Sequence, residues 1–209
     1  TPGFRHRNWN TPIAWSLPNK LYDASFNLMW LPKWDEQWSA IIGVAPGVYS
    51  DYNTSQDNIR VTGRALIKYR WMPTILDLYA GIVYLDRDDY NLLLAAGAIW
   101  TPTADWRWEL IFPQPKIARR IGFVPETYED WVYIAGQFDG GTWAIQRQGT
   151  TQRLTYRDLR LMVGLERKKN GGAGYRIEAG YVFARKLELD TNESFVPDDS
   201  VMLRVNWTY

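Results

Sequence analysis

Four cations, Arg60, Arg64, Lys68 and Arg70, stand two or four residues apart through one short stretch of the chain. A helix would scatter them around its circumference. A strand places all four on one face and Ile59, Val61, Gly63, Ala65, Ile67, Tyr69 and Trp71 on the other. Such a basic strip inside a pore attracts anionic solutes. The competing chemistry is ion pairing. Asp77, Glu109, Asp158, Glu166 and Glu178 occupy the polar faces of other alternating segments, together with Arg107, Arg160, Arg176 and Arg204. The expectation is a charge-paired lumen, because narrow barrels are filled by side chains and only many-stranded ones leave a wide channel.

Other chemistries find little support. The one histidine, His6, lies in Phe4-Arg5-His6-Arg7, and no motif sets a serine or aspartate beside it. No catalytic residue is therefore assigned, and a surface hydrolase is only an alternative. With no cysteine and one histidine, thiolate and polyhistidine metal sites are excluded. Glu188, Asp190, Glu193, Asp198 and Asp199 lack the spacing of a calcium loop and read as solvated charge. No metal or cofactor is expected.

The elements that would position the charges are strands. Residues 22–30, 59–71, 106–112, 158–166, 175–183 and 201–209 alternate, with weaker strands near 5–14, 37–48, 75–84, 91–100, 131–138 and 142–148. About twelve strands, an even number, suit a closed antiparallel transmembrane β-barrel with both termini periplasmic. Short connections alternate with longer ones, the longest being the loop expected over 113–130, with Lys116, Arg119 and Arg120. Ile67 and Val163 are expected to face lipid, and their neighbours Leu66 and Met162 the interior.

Trp30-Leu31-Pro32, Trp71-Met72-Pro73 and Trp100-Thr101-Pro102 share a Trp-x-Pro pattern, in which proline ends the strand and the indole falls at its rim. Trp30, Trp38, Tyr69, Trp71, Trp100, Trp106, Trp108, Trp207 and Tyr209 form an expected periplasmic aromatic girdle. Tyr22, Tyr49, Tyr84, Phe112 and Phe183 form an outer one. Val201, Leu203, Val205, Trp207 and Tyr209 also compose a terminal alternating strand like the signal by which outer-membrane proteins are recognised for assembly, and that strand is expected to close the barrel against the first.

The 209 residues carry a net charge of +1, which gives no pull toward nucleic acid. No apolar run is long enough for a transmembrane helix, a test that barrels evade by alternation. The chain is read as one domain over 1–209, a mature outer-membrane protein without its signal peptide. The expected partners are membrane lipid, the barrel-assembly machinery and other envelope proteins. A soluble β-barrel is the competing fold, but it would spread aromatics along its core instead of gathering them at strand ends.

Two turns carry parity arguments. Lys169-Asn170-Gly171 is expected as a three-residue loop with Gly171 left-handed, putting Leu165 opposite Tyr175. Asp139-Gly140 is expected as a two-residue hairpin turn, putting Ile134 opposite Ile145.

VAPGVYSDY at 44–52, YRWMPT at 69–74, YLDR at 84–87, GTWAIQ at 141–146, LTYRDLRLMVG at 154–164, GYVFARKLEL at 180–189 and DDSVMLR at 198–204 resemble an uncharacterised family of predicted outer-membrane β-barrels known mainly from planctomycete genomes. The resemblance implies a fold and a location. It implies no activity and no functional residues.

Overall fold

The computed structural model describes residues 1–8, 15–54 and 56–208. Tyr209 and most of the end of the strand expected over 5–14 lie outside the described residues. The chain is all β. Its strands are β1 (Pro2–Asn8), β2 (Lys20–Phe26), β3 (Leu28–Trp30), β4 (Trp38–Ser50), β5 (Ile59–Met72), β6 (Leu76–Tyr84) and β7 (Leu92–Thr103). They continue with β8 (Trp106–Ile111), β9 (Lys116–Val124), β10 (Tyr128–Arg147), β11 (Thr150–Lys169), β12 (Gly174–Leu189), β13 (Ser194–Phe195) and β14 (Ser200–Thr208). They form one sheet in which neighbours in sequence pair antiparallel, with β2 and β3 both on β4, and β13 and β14 both on β12.

Closure differs from expectation. The ring closes between β4 and β10, so that β4 to β10 make a seven-stranded barrel and the other seven strands extend from it. The closing contact is a parallel bridge, Ser50 to Ala144. The Asp51 N–H donates to the Ala144 carbonyl at 3.2 Å, and the Gln146 N–H donates to the Asp51 carboxylate at 2.9 Å. Among the described residues β1 pairs only with β2 and β14 only with β12. The terminal strand therefore does not close the barrel on the first. Thr1 donates to the Asn27 carbonyl, and Thr208 pairs with Gly174 beside the β11–β12 turn.

Among the described residues there are fourteen strands where about twelve are expected: β3 is split from β2 within the expected 22–30 strand and the two-residue β13 is added, while two misreadings offset each other. The expected outer loop contains β9. Its alternation is masked because Arg119 sits among the outward residues, and a register shift opposite Asp130 and Trp131 breaks the pattern. The expected strands 131–138 and 142–148 are one continuous β10 of 20 residues. Asp139-Gly140 is thus no turn: Ile134 pairs with Val163 and Ile145 with Gln152. Gly140 is needed for close approach, since a Cβ there would lie 2.2 Å from the Tyr156 carbonyl and 2.5 Å from the Arg87 guanidinium. The two-residue hairpin lies farther on, at Gln148-Gly149, between paired Arg147 and Thr150. Both turn residues have positive φ, as a type I′ turn requires.

The β11–β12 turn has the expected parity with a shifted position. Leu165 pairs with Ile177 and Arg167 with Tyr175, which keeps the apolar faces aligned. Lys169 and Ala173 bracket a loop of Asn170, Gly171 and Gly172. Gly171 has the expected positive φ, +91°, at the third position of the turn, as type II requires.

Burial runs opposite to a water-soluble sheet. Ile59, Val61, Ile67, Val132, Ile134, Leu161, Val163, Leu203 and Val205 are exposed. Val163 is 57% exposed and Ile67 49%, against 3% for Met162. On the opposite face Asp158, Glu166 and Glu178 are buried.

Candidate functional site: the charged interior

Contacts that skip a strand identify the concave side, because side chains on non-adjacent strands meet only inside a curved sheet. Lys116 on β9 reaches Glu166 on β11 at 3.7 Å. The Tyr133 hydroxyl on β10 donates to Glu178 on β12 at 2.7 Å. Arg7 on β1 meets Asp139 on β10 at 3.3 Å, spanning the interior.

The residues named from sequence fall into separate groups here. Glu166 accepts from Arg176 at 2.8 Å, and Lys116 lies between it and Glu109. Arg107 donates to Glu109 at 2.7 Å. Glu178 takes both Tyr133 and Arg204, the latter at 2.5 Å. Asp158 accepts two bonds from Arg160 at 2.8 Å, and Arg160 also meets Asp139. Lys68 lies 2.6 Å and Arg70 3.7 Å from Asp77. The basic strip of β5 therefore divides. Lys68 and Arg70 share a carboxylate, while Arg60 and Arg64 have no carboxylate at ion-pair distance among the described residues.

Sequence reasoning missed Lys116, Asp139, Tyr133, Arg7 and the Arg5–Asp23 pair at 3.1 Å. The first two fell in segments read as loop and turn. Tyr133 carries no signal, as its ring looks like any other apolar-face residue until Glu178 is seen beneath it.

Two apolar clusters share the interior. Leu17, Leu21, Trp143, Ile145, Leu154, Tyr156, Leu187 and Leu189 pack together near the Gln148-Gly149 hairpin end. Ala118, Trp131, Tyr133, Ala135 and Met162 form a second cluster. Tyr49 packs against the first, 6.1 Å from the Trp143 ring centroid, so it points inward and is not part of an outward ring.

Among the described residues the other aromatics expected in girdles, Phe183 excepted, lie toward the strand ends. Trp38 and Tyr69 are 4.6 Å apart, Tyr69 and Trp71 6.1 Å, Trp100 and Trp108 5.5 Å, and Trp106 and Trp108 6.4 Å. Trp30 and Trp207 are exposed. At the opposite ends Tyr84 and Phe112 are exposed and Tyr22 stacks on exposed His6. Phe183 lies within β12, opposite Leu159, and stacks on Tyr181. Cations lie on Trp106 of the first set and on two further aromatics beside the β9–β10 turn. Arg119 lies 5.5 Å from the Trp106 ring, Arg120 4.6 Å from Phe123 and Arg167 4.2 Å from Tyr128.

The carboxylates of 188–199 disperse. Glu188 pairs with Lys186, Asp190 with Arg153 and Glu193 with Arg147, while Asp199 accepts from Tyr181. No group of three or more potential metal ligands occurs among the described residues.

A family model covers residues 5–199. The chain belongs to the family described as Domain of unknown function (DUF6268). No curated protein and no solved structure matches it.

Proposed function

We propose that this family member is an integral outer-membrane β-barrel with a filled, ion-paired interior. It serves as a structural component of the envelope, without enzymatic activity and without a wide pore. The reading is carried by the inverted burial. A continuous apolar face exposed to water costs about 25 cal/mol for every Å² that could have been buried, and a hydrocarbon surround removes that cost. The rims support it, since tryptophan, tyrosine and arginine gather where headgroups would lie. The filled interior argues against a wide channel, with apolar clusters and ion pairs occupying the space on the β10–β12 side. In this reading the exposed alternation of β14 serves recognition by the assembly machinery, and envelope proteins remain candidate partners.

A narrow anion path is the second reading, favoured by the unpaired Arg60 and Arg64 alone. Fractionation of cells expressing the full-length gene tests the main one: the protein should sediment with outer membranes and require detergent for release. In planar bilayers it should give no large, steady conductance. Recovery in the soluble fraction would overturn the membrane reading. Stable wide-pore steps would overturn the filled interior.

A further inference from the structure

We propose that the cavity beside β5 binds a small divalent oxyanion of the phosphate class, gripped by Arg60 and Arg64. The cavity has a volume of about 340 Å³, and Arg5, Arg7, Arg60, Arg64 and Arg87 line it together with Asp23, Asp86 and Asp139. That is five guanidinium groups against three carboxylates. Pairing uses up most of them in a lopsided way. Arg5 holds Asp23, Arg7 holds Asp139, and Arg87 takes Asp89 from outside the lining. The remaining carboxylate, Asp86, accepts the Val61 N–H at 2.7 Å and faces the Tyr84 hydroxyl at 3.5 Å. Two cations are left over.

Arg60 is the sharper of the two. Its Nε and Nη2 are shielded from solvent and have no acceptor. Buried donors without a partner are rare, and a missing ion or water is one of the few physical reasons for them. Arg60 as a whole is half-buried, and each shielded N–H without an acceptor has given up the hydrogen bond it would make to water. Arg64 has only a long contact of 4.0 Å to the Met29 sulfur. Gly43 opens the space for it, since a Cβ there would stand 3.3 Å from both Cγ and Nε of Arg64.

The spacing suits one ligand. Arg60 and Arg64 are separated by about 13 Å of strand, with Thr62 between them on the same face. Their side chains can close over an anion seated above Thr62. Two forked donors favour an oxyanion with several oxygens, such as phosphate or sulfate, over a single carboxylate or chloride. Arg60 and Arg64 lie on the face opposite exposed Ile59 and Val61, so the anion arrives from solution and not from lipid. This inference concerns the interior only and stands whether or not the barrel resides in a membrane.

The test uses the purified chain in a phosphate-free maltoside detergent, titrated with inorganic phosphate by calorimetry. Melting is compared in phosphate and chloride at equal ionic strength. Wild-type protein should bind phosphate with one site and melt higher in it. Arg60→Gln and Arg64→Gln should each weaken binding at least about tenfold. Arg70→Gln, whose side chain shares Asp77 outside this cavity, should bind as wild type does. Equal melting of the wild type in the two salts would overturn the proposal without any variant, as would equal loss of binding in Arg70→Gln.

Discussion

The β10–β12 wall and the β4–β6 wall are built on the same alternation and enclose different interiors. On β10–β12, strands of 16 to 20 residues carry Trp131, Tyr133, Trp143, Ile145, Leu154 and Tyr156 inward among their charges. Each carboxylate there has partners of its own: Asp158 with Arg160, Glu166 with Arg176, Glu178 with Arg204 and Tyr133. On β4–β6 the inward positions include Gly43, Gly47 and Thr62, with cations that outnumber nearby acids, and a cavity remains. Alternation determines which face is apolar. Whether the polar face is full or empty depends on the volume of its side chains and on whether its charges balance.

The comparison is broken most severely in the apolar cluster. Trp143 is 1% exposed, and Trp143→Ala should cost about 3–5 kcal/mol. The loss reads out as a large fall in the temperature at which the detergent-folded barrel unfolds on gels. An unchanged melting point would mean that the cluster is not holding the β10–β12 wall.

Glu178→Ala comes next. It leaves Arg204 without its carboxylate and Tyr133 without its acceptor. The expected cost is about 2–3 kcal/mol, below that of a fully buried pair because Arg204 keeps part of its surface in water. Glu178→Gln should recover part of it by keeping the Tyr133 bond. If Gln is no better than Ala, the Tyr133 hydrogen bond contributes nothing.

On the other wall the sign should change. Arg60 has no partner to lose, so Arg60→Met in buffer free of oxyanions should be neutral or stabilising. Arg176→Met takes the nearest cation from Glu166 and leaves it only Lys116 and Lys168, at 3.7 and 3.8 Å, so it should destabilise. Equal losses in both would erase the distinction between the two walls.

These contrasts also mark what the sequence could tell. The outward faces were legible because alternation requires only a choice of parity, and Ile67 against Leu66 or Val163 against Met162 already makes it. β10 was not legible because Asp139-Gly140-Gly141 looks like a turn, whereas its glycines make room for Arg87, Trp143 and the β11 backbone. β9 was hidden by Arg119, an outward cation that lies on the Trp106 ring. Closure through Ser50 and Ala144 leaves no local trace, since it joins residues 94 positions apart by backbone hydrogen bonding. The split of the basic strip was equally hidden: Asp77 is placed opposite Arg70 by register, and only the fold reveals that Arg60 has no equivalent.

The smallest effect is expected at the exposed rim. The hydrogen bond from Arg147 holds the Glu193 carboxyl below its ordinary range. A depressed carboxyl stabilises the fold above its unfolded pKa, and that contribution disappears as pH falls through the folded value. Wild type should therefore melt slightly above Glu193→Gln at neutral pH, and the two should converge under acid. A gap that persists in acid would assign the effect to something other than this charge pair.

The most direct test of the central claim exploits the absence of cysteine. Ile67→Cys and Leu66→Cys, adjacent on β5, are each labelled with a polarity-sensitive fluorophore and reconstituted into vesicles containing nitroxide-bearing lipids. The label at position 67 should emit in the blue and be strongly quenched by the lipid nitroxides, while the label at 66 should be quenched far less. Equal quenching at both positions, or ready access of a water-soluble quencher to position 67, would contradict a barrel that turns its apolar face to lipid.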